Sequence, residues 1–323
     1  MAEARTAGRA SSEPRACTAC GAGALRAWRT VRGSDPALPG DYDLARCQAC
    51  GSAVTLAPAP AAAHEEGAYG SGAPRGARLA MPLLRAFDRH RLALLDRAGA
   101  RPPGRLLDVG AGRGRFVAHA SAAGWAADGI EPSRRGVEGA RALGVELQQA
   151  GIEDAAVAPG SLDVVSLWHV LEHLDDPASA LERIAGWLRP GGLLVVGVPN
   201  LGSVQALVGS GGWYHLDVPR HRTHFTVDGL HALLRRHGLE PVATHHVLAE
   251  HNPFGLWQSL VSRFTRTPSW LYHALKRNAP LRSRDAVVTL VALPLAPVAV
   301  VAELAFALAR RGGAVAVVAR RAA

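Results

Sequence analysis

Leu106-Leu107-Asp108-Val109-Gly110-Ala111-Gly112-Arg113-Gly114 decides the fold of this chain. An apolar run at strand length passes directly into three alternating glycines, and from Phe116 the apolar residues resume at helical spacing. Glycine at such a junction lets the backbone turn sharply and leaves no Cβ between the main chain and a ligand. The next apolar run, Ala127-Asp128-Gly129-Ile130-Glu131-Pro132, ends on a carboxylate 17 residues beyond Gly114. A carboxylate at a strand end can accept hydrogen bonds from both ribose hydroxyls of a nucleoside. Turn and acid together describe a nucleoside site at the carboxyl edge of a parallel sheet.

Outward from this unit the same alternation continues. Strands are predicted at Arg105–Val109, Ala126–Glu131, Val145–Gln148, Leu162–Leu167 and Gly192–Val198, with helices at Phe116–Ala123, Arg134–Leu143 and Pro177–Leu188 between them. A helix at Thr226–His237 and strands at Leu239–His245 and Gly313–Arg320 follow, and an amphipathic helix at Ala77–Ala98 leads in. The expected divisions are a disordered tail at 1–16, a cysteine module at 17–60, a nucleoside-binding domain at 77–245, an apolar helical insertion at 246–312 and a final strand at 313–323.

The spacing around the turn is G-x-G-x-G, not the G-x-G-x-x-G of dinucleotide-binding domains, and Asp108 stands two positions before the first glycine. A carboxylate there repels a diphosphate but can bind the cationic amino group of a methionine moiety, which favours S-adenosylmethionine over a dinucleotide. On these residues the chain resembles the class I S-adenosylmethionine-dependent methyltransferases, in particular their small-molecule-modifying members. The resemblance covers about Ala77 to His245 and the final strand. It implies an α/β, doubly wound, Rossmann-like sheet of seven strands whose last strand is antiparallel. It also implies that Asp108, Gly110 and Gly112 contact the methionine end of the donor and Glu131 the ribose. Within Ala150-Gly151-Ile152-Glu153-Asp154, Ile152 would pack on adenine and Glu153 or Asp154 would meet its exocyclic amine. Trp168 belongs with the same donor-binding set.

Two histidine segments follow. Trp168-His169-Val170-Leu171-Glu172-His173 matches the H-x-x-E-H of a zinc peptidase, but it follows a strand at the rim of a nucleoside site, the wrong context for that helix. In the methyltransferases this segment lines the donor–acceptor cleft. His169 would then lie near the methyl group, while Glu172 and His173 would orient substrate or a divalent ion, as a related motif does in some quinone-biosynthesis methyltransferases. This chain carries His169 where those relatives carry an acid. The alternative is that His173 only caps or packs the following loop. The second segment, His215-Leu216-Asp217-Val218-Pro219-Arg220-His221-Arg222-Thr223-His224, falls on a loop at the carboxyl edge. His221 is the candidate base, with His215 or His224 in support, and the alternative is that these rings only satisfy loop backbone. The catalytic candidates are therefore His169, His173 and His221.

Cys17-Thr18-Ala19-Cys20-Gly21 and Cys47-Gln48-Ala49-Cys50-Gly51 form two knuckles, each able to present two thiolates to a structural Zn2+. Redox thiols or an iron–sulfur site are the alternatives. The module resembles the N-terminal zinc-binding segment of deoxysugar C-methyltransferases, which adds sugars to the candidate acceptors. All four cysteines lie in these pairs, which suits a reducing cytoplasm better than a secreted disulfide scaffold, and the first 16 residues lack the apolar centre of a signal peptide. The net charge of +9 comes almost wholly from arginines scattered without aromatic interleaving, which argues against nucleic acid as the partner. Pro58–Ala63 reads as a linker.

Ala286–Ala302 carries no charge, and Pro294 and Pro297 would kink a helix there. A simple span is not expected. A helical hairpin at a membrane interface over 286–309, a buried helical cap and a dimer surface are the open readings. The expected function is methyl transfer from S-adenosylmethionine to a small-molecule, sugar or lipid-linked acceptor, in the cytoplasm or peripherally at the inner face of its membrane. An RNA or protein methyltransferase, or a silent S-adenosylmethionine-binding scaffold, are the alternatives.

Overall fold

The computed structural model describes residues 16–35, 38–57, 77–248, 250, 252–276 and 283–322. The tail 1–16, apart from its last residue, and the linker Pro58–Ala63 lie outside the described residues. The chain opens with β1 (Leu25–Arg32), β2 (Asp41–Cys47) and β3 (Ala53–Thr55), then α1 (Ala77–Arg97), β4 (Arg105–Val109), α2 (Arg115–Ala122), β5 (Ala126–Ile130) and α3 (Arg134–Arg141). Next come β6 (Leu162–Trp168), α4 (Pro177–Trp187), β7 (Leu188–Pro199), α5 (Val204–Gly209), β8 (Thr223–His224), α6 (Val227–Arg236) and β9 (Leu239–His245). The C-terminal part holds α7 (Asn252–Val261), α8 (Trp270–Leu275), α9 (Ser283–Ala292), α10 (Ala296–Leu308) and β10 (Ala314–Arg321).

Six strands form one mixed sheet in the order β5-β4-β6-β7-β10-β9. The first four run parallel, and β10 enters antiparallel between β7 and β9. Val164, Val165, Leu194, Val195, Val196 and Val317 are fully buried, as expected for strands covered on both faces. The expected seventh strand at Val145–Gln148 is reduced to a single parallel bridge between Gln148 and Ile130. Leu147 turns inward against Val117 and Val137, so this short segment closes the α2–α3 layer instead of extending the ladder.

Local chemistry sets the helix starts. Asp176 accepts hydrogen bonds from the Ala178 and Ser179 amides, with Pro177 at the first helical position of α4. Thr226 caps α6 by accepting from the Gly229 amide, and its hydroxyl also donates to the Cys50 carbonyl. This cap already joins α6 to the second cysteine knuckle.

The cysteine module does not stand apart. Its strands form a second sheet, β1-β2-β3-β8, in which β3 pairs with a strand from beyond residue 220. Cys17 and Cys47 share a core with Phe225, Leu230 and Leu233, and through them with Val165 and Leu194. Gly229 permits the approach, because a Cβ there would sit 2.1 Å from Ser52 Oγ.

In the insertion, α9 and α10 run on through a 3-10 turn at Leu293–Leu295 as one rod of 26 residues, so no hairpin forms. The 3-10 turn frees the Ala292 carbonyl, since the Ala296 amide bonds Leu293 instead, and Trp257 Nε1 donates to it at 2.9 Å. One flank of the rod packs on α7 through Val288, Ala292, Ala296 and Ala299. The buried-cap reading is corrected by the other flank, where Val287, Leu290, Val291, Val298 and Val301 are exposed.

Candidate active site

The glycine turn leaves β4 with Gly110, Gly112 and Gly114 all at positive φ. Gly110 is doubly constrained: at φ 68° a side chain is disfavoured, and a Cβ would lie 2.5 Å from Val170 Cγ2. The Gly110 and Ala111 amides both donate to the Ile130 carbonyl, and the Gly112 amide donates to Glu131 Oε2 at 2.8 Å. Glu131 Oε1 accepts from the Ser133 amide, so this buried carboxylate braces the turn. Asp108 is buried and accepts from Ser166 Oγ at 2.6 Å. Burial pushes its carboxyl up to about 6, against the Ser166 hydrogen bond and the Arg91 charge. Ile152 is buried, with its carbonyl accepting from Arg183, while Glu153 and Asp154 are exposed at the rim. Trp168 ends β6 with its ring over Gly197, where a Cβ would lie 2.5 Å away, and the Arg91 guanidinium sits 4.6 Å from a Trp168 ring centroid.

A cavity of about 280 Å³ opens beside Gly110 and is walled by Trp168, His169, His173, Tyr214, His215, Asp217, Arg220, His221, Tyr272 and His273. The three catalytic candidates from the sequence therefore meet in one space. His169 is held at φ 56° and its Nδ1 lies 3.0 Å from Glu172 Oε1. His169 and His215 stack with ring centroids 6.0 Å apart. His173 Nδ1 lies 3.3 Å from the Arg220 carbonyl and His221 Nδ1 lies 2.8 Å from the His215 carbonyl. A carbonyl only accepts, so each Nδ1 carries a proton, and His221 Nε2 lies 3.9 Å from Asp217 Oδ2. His224 stands aside: it lies in β8 with Nε2 on Thr55 Oγ1, and burial pushes its imidazole down to about 3. It supports the loop and does not line the cavity.

Glu172, His173 and His221 bring three donor atoms within 4.8 Å of one another. Glu172 Oε2 is buried without a hydrogen-bond partner among the described residues, so this corner fits a cation. A second cavity, of about 270 Å³ and mostly apolar, shares Trp168 and His169 and extends under α1 past Phe87, His90 and Leu248.

The loop from His215 to His224 is gripped by the cysteine module. Arg220 pairs with Asp217 at 2.9 Å and with Asp35 of the β1–β2 turn at 3.4 Å. Although burial opposes it, the Arg220 guanidinium holds the Asp217 carboxyl well below the usual range. Ser34 Oγ donates to Asp217 at 2.6 Å, and Thr55 Oγ1 donates to the His221 carbonyl at 2.7 Å. Sequence reading missed these contacts, and it missed His273 and Tyr272 of α8. Both ring nitrogens of His273 are buried without a hydrogen bond among the described residues, and burial pushes its imidazole down to about 4. An aromatic and histidine pair on the insertion's helical face was the available signal.

Cys17, Cys20, Cys47 and Cys50 are free thiols within 4.8 Å of one another. The sulfur separations are 3.8 Å for Cys17–Cys50 and 3.6 Å for Cys20–Cys47. Four sulfurs about 2.3 Å from a tetrahedral zinc stand about 3.8 Å apart, so the set fits that ion. Each knuckle closes through an amide of a positive-φ glycine, Gly21 to the Cys17 carbonyl and Gly51 to the Cys47 carbonyl.

The antiparallel β10 set between β7 and β9, with a glycine turn after β4, makes this a class I methyltransferase fold. Residues 83–244 match the model of the methyltransferase domain family, and the chain belongs to that family. The ubiquinone biosynthesis O-methyltransferase of Bordetella bronchiseptica is 30% identical over 171 residues, 49% of this chain and 70% of that protein. Its namesake in Aeromonas salmonicida is 36% identical over 114 residues, 33% of this chain and 48% of that protein. Across the first curated relatives it matches, the chain spans between 36% and 70% of their length. Among solved structures, a SAM dependent methyltransferase from Archaeoglobus fulgidus superposes with a TM-score of 0.48 at 18% identity, over 74% of this chain and 94% of that one.

Proposed function

We propose that the chain transfers the methyl group of S-adenosylmethionine to a small-molecule acceptor with histidine assistance. The observation that carries this reading is a shared wall: Gly110 of the donor turn lines the same cavity as His169, His173 and His221. Asp108, Gly110 and Gly112 would hold the methionine end, Glu131 the ribose, Ile152 with Glu153 or Asp154 the adenine, and Trp168 the edge facing the acceptor. The names of the curated relatives support a small, hydroxyl-bearing acceptor, and the likeness of the cysteine module keeps sugars in the screen. Structural zinc on the four cysteines and a reducing cytoplasm complete the proposal.

A sulfonium donor already carries the activation, so the protein's work is alignment of nucleophile, methyl carbon and sulfur in line. Removing the acceptor proton is the step left to a side chain. His221 lines the cavity with its ring oriented by the bond from Nδ1 to the His215 carbonyl and its Nε2 3.9 Å from the Asp217 carboxylate, which would steady the positive charge gained on taking that proton. The buried, unpartnered Glu172 Oε2 favours a second version, in which a divalent ion on Glu172, His173 and His221 would lower the acceptor's pKa. His169, oriented by Glu172, is then the histidine left to take the proton.

Calorimetric titration of the zinc-loaded protein with S-adenosylmethionine and, separately, with NADH tests the donor. Micromolar binding of the first alone is expected, and no binding by folded protein removes the proposal. Activity of zinc-loaded protein with and without added Mg2+, compared with the Glu172→Gln variant, separates the two versions of proton removal.

A further inference from the structure

Ser283–Leu308 is long and apolar enough to cross a membrane; its apolar window has a mean hydropathy of 2.2, yet only 17% of that window is buried in the fold. The outward side carries Val287, Leu290, Val291, Val298, Val301 and Leu308, with Val291 75% and Val301 70% exposed. We infer that this side of α9–α10 rests on an anionic lipid bilayer, lying in its interface and not crossing it.

Charge placement selects lipid as the occupant. The rod contains two acids, and both face inward. Asp285 accepts hydrogen bonds from the Arg266 and Thr267 amides, and Glu303 accepts from the Gly313 amide and Gln205 Nε2. The cations point out: Arg284 at one end, Arg310 and Arg311 at the other, and Arg263 and Arg266 on the loop that Asp285 anchors, all exposed. Phe264 on that loop is 69% exposed. An uncharged apolar face between two cationic ends matches hydrocarbon bordered by anionic headgroups. A second copy packed along the rod, parallel or antiparallel, would set cationic ends against cationic ends.

The attachments of the rod exclude a crossing orientation. A rod of 26 residues is about 39 Å long, enough to span a hydrocarbon core of about 30 Å. Its α10 half is nevertheless fixed along α7 by Ala299 against Leu256, Trp257 and Val261. Glu303 ties it through Gln205 to Trp213 Nε1, and β10, paired on both sides by β7 and β9, starts at Ala314. Both ends of the rod therefore belong to one globular body on one side of the bilayer. Tyr272 and Lys276, immediately before the segment leading to α9, line the histidine cavity. Docking would bring that cavity close to the lipid surface.

The inference is tested by flotation of the full zinc-loaded chain with vesicles of phosphatidylcholine alone and of phosphatidylcholine with phosphatidylglycerol. Wild type is expected to float with the anionic vesicles and to partition roughly tenfold less onto neutral ones or in high salt. Val291→Asp/Val301→Asp changes only outward side chains, so its thermal unfolding should match wild type while it stays at the bottom of the gradient. Wild type that fails to float, or a double variant that floats equally well, overturns the inference. So does a concentration-dependent dimer that the double substitution dissolves, which would assign the face to a second copy. None of these readouts depends on methyl transfer.

Discussion

If Asp108 holds the methionine end of the donor as proposed, it should set a pH limit on donor binding. Its buried carboxyl is raised to about 6 from an ordinary value of about 3.9, so the donor-free protein holds this proton more tightly than the unfolded chain does. For a carboxyl raised in this way, its contribution to stability falls as pH rises from about 4 to about 6. Binding runs in the opposite direction: only the ionised carboxylate attracts an ammonium group, so donor affinity should fall as pH drops through about 6, by up to about tenfold per pH unit. Calorimetry across that range measures it, and Asp108→Asn should bind more weakly at neutral pH with a flat profile. A wild-type affinity independent of pH would remove Asp108 from the methionine contact. At the acceptor side, His221→Gln should lower kcat by about 10²–10⁴-fold with the donor dissociation constant unchanged if His221 takes the proton. Equal loss of donor binding would show a structural role instead.

Between elements, the decisive relation is the grip of the cysteine module on the loop from His215 to His224. Ser34, Asp35 and Thr55 hold Asp217, Arg220 and His221, and β3 extends into β8. Asp35→Ala leaves the buried Arg220 with one acid fewer and should raise the acceptor KM by several-fold while donor affinity stays at the wild-type value. Steady-state kinetics beside donor calorimetry reads that difference. The knuckles themselves were legible in the sequence because their chemistry is local: two cysteines and a glycine within five residues specify the turn. The grip was not legible, because Ser34, Asp35 and Thr55 are ordinary polar residues whose partners lie more than 160 positions away. The glycine turn was legible for the same local reason as the knuckles, as was the position of Asp108 in β4 and of Glu131 just past β5. His273 and Tyr272 were hidden because only the packing of α8 against the loop turns a helical face into a cavity wall. Val145–Gln148 read as a full strand because its composition suits one, while the inward turn of Leu147 leaves a single bridge.

Across the whole molecule, the composition break before α1 is not a physical boundary. Cys17 and Cys47 lie in the same buried cluster as Val165, Leu194 and Val317 of the central sheet. Thr226 caps α6 while bonding the Cys50 carbonyl, so loss of the knuckle removes support from a helix that packs on the sheet edge. A metal that binds only the folded thiolate set adds its binding free energy to the folded state as a unit. The protein should therefore melt in one cooperative transition, and stripping zinc should lower that whole transition, by about ten degrees or more, without releasing an early one. Differential scanning calorimetry of zinc-loaded and chelator-treated protein distinguishes the cases. A separate low-temperature transition that alone responds to chelation would mean that the module folds independently. The contacts between Thr55 and His221 would then be a docking surface, and zinc loss would loosen the acceptor loop without unfolding the sheet.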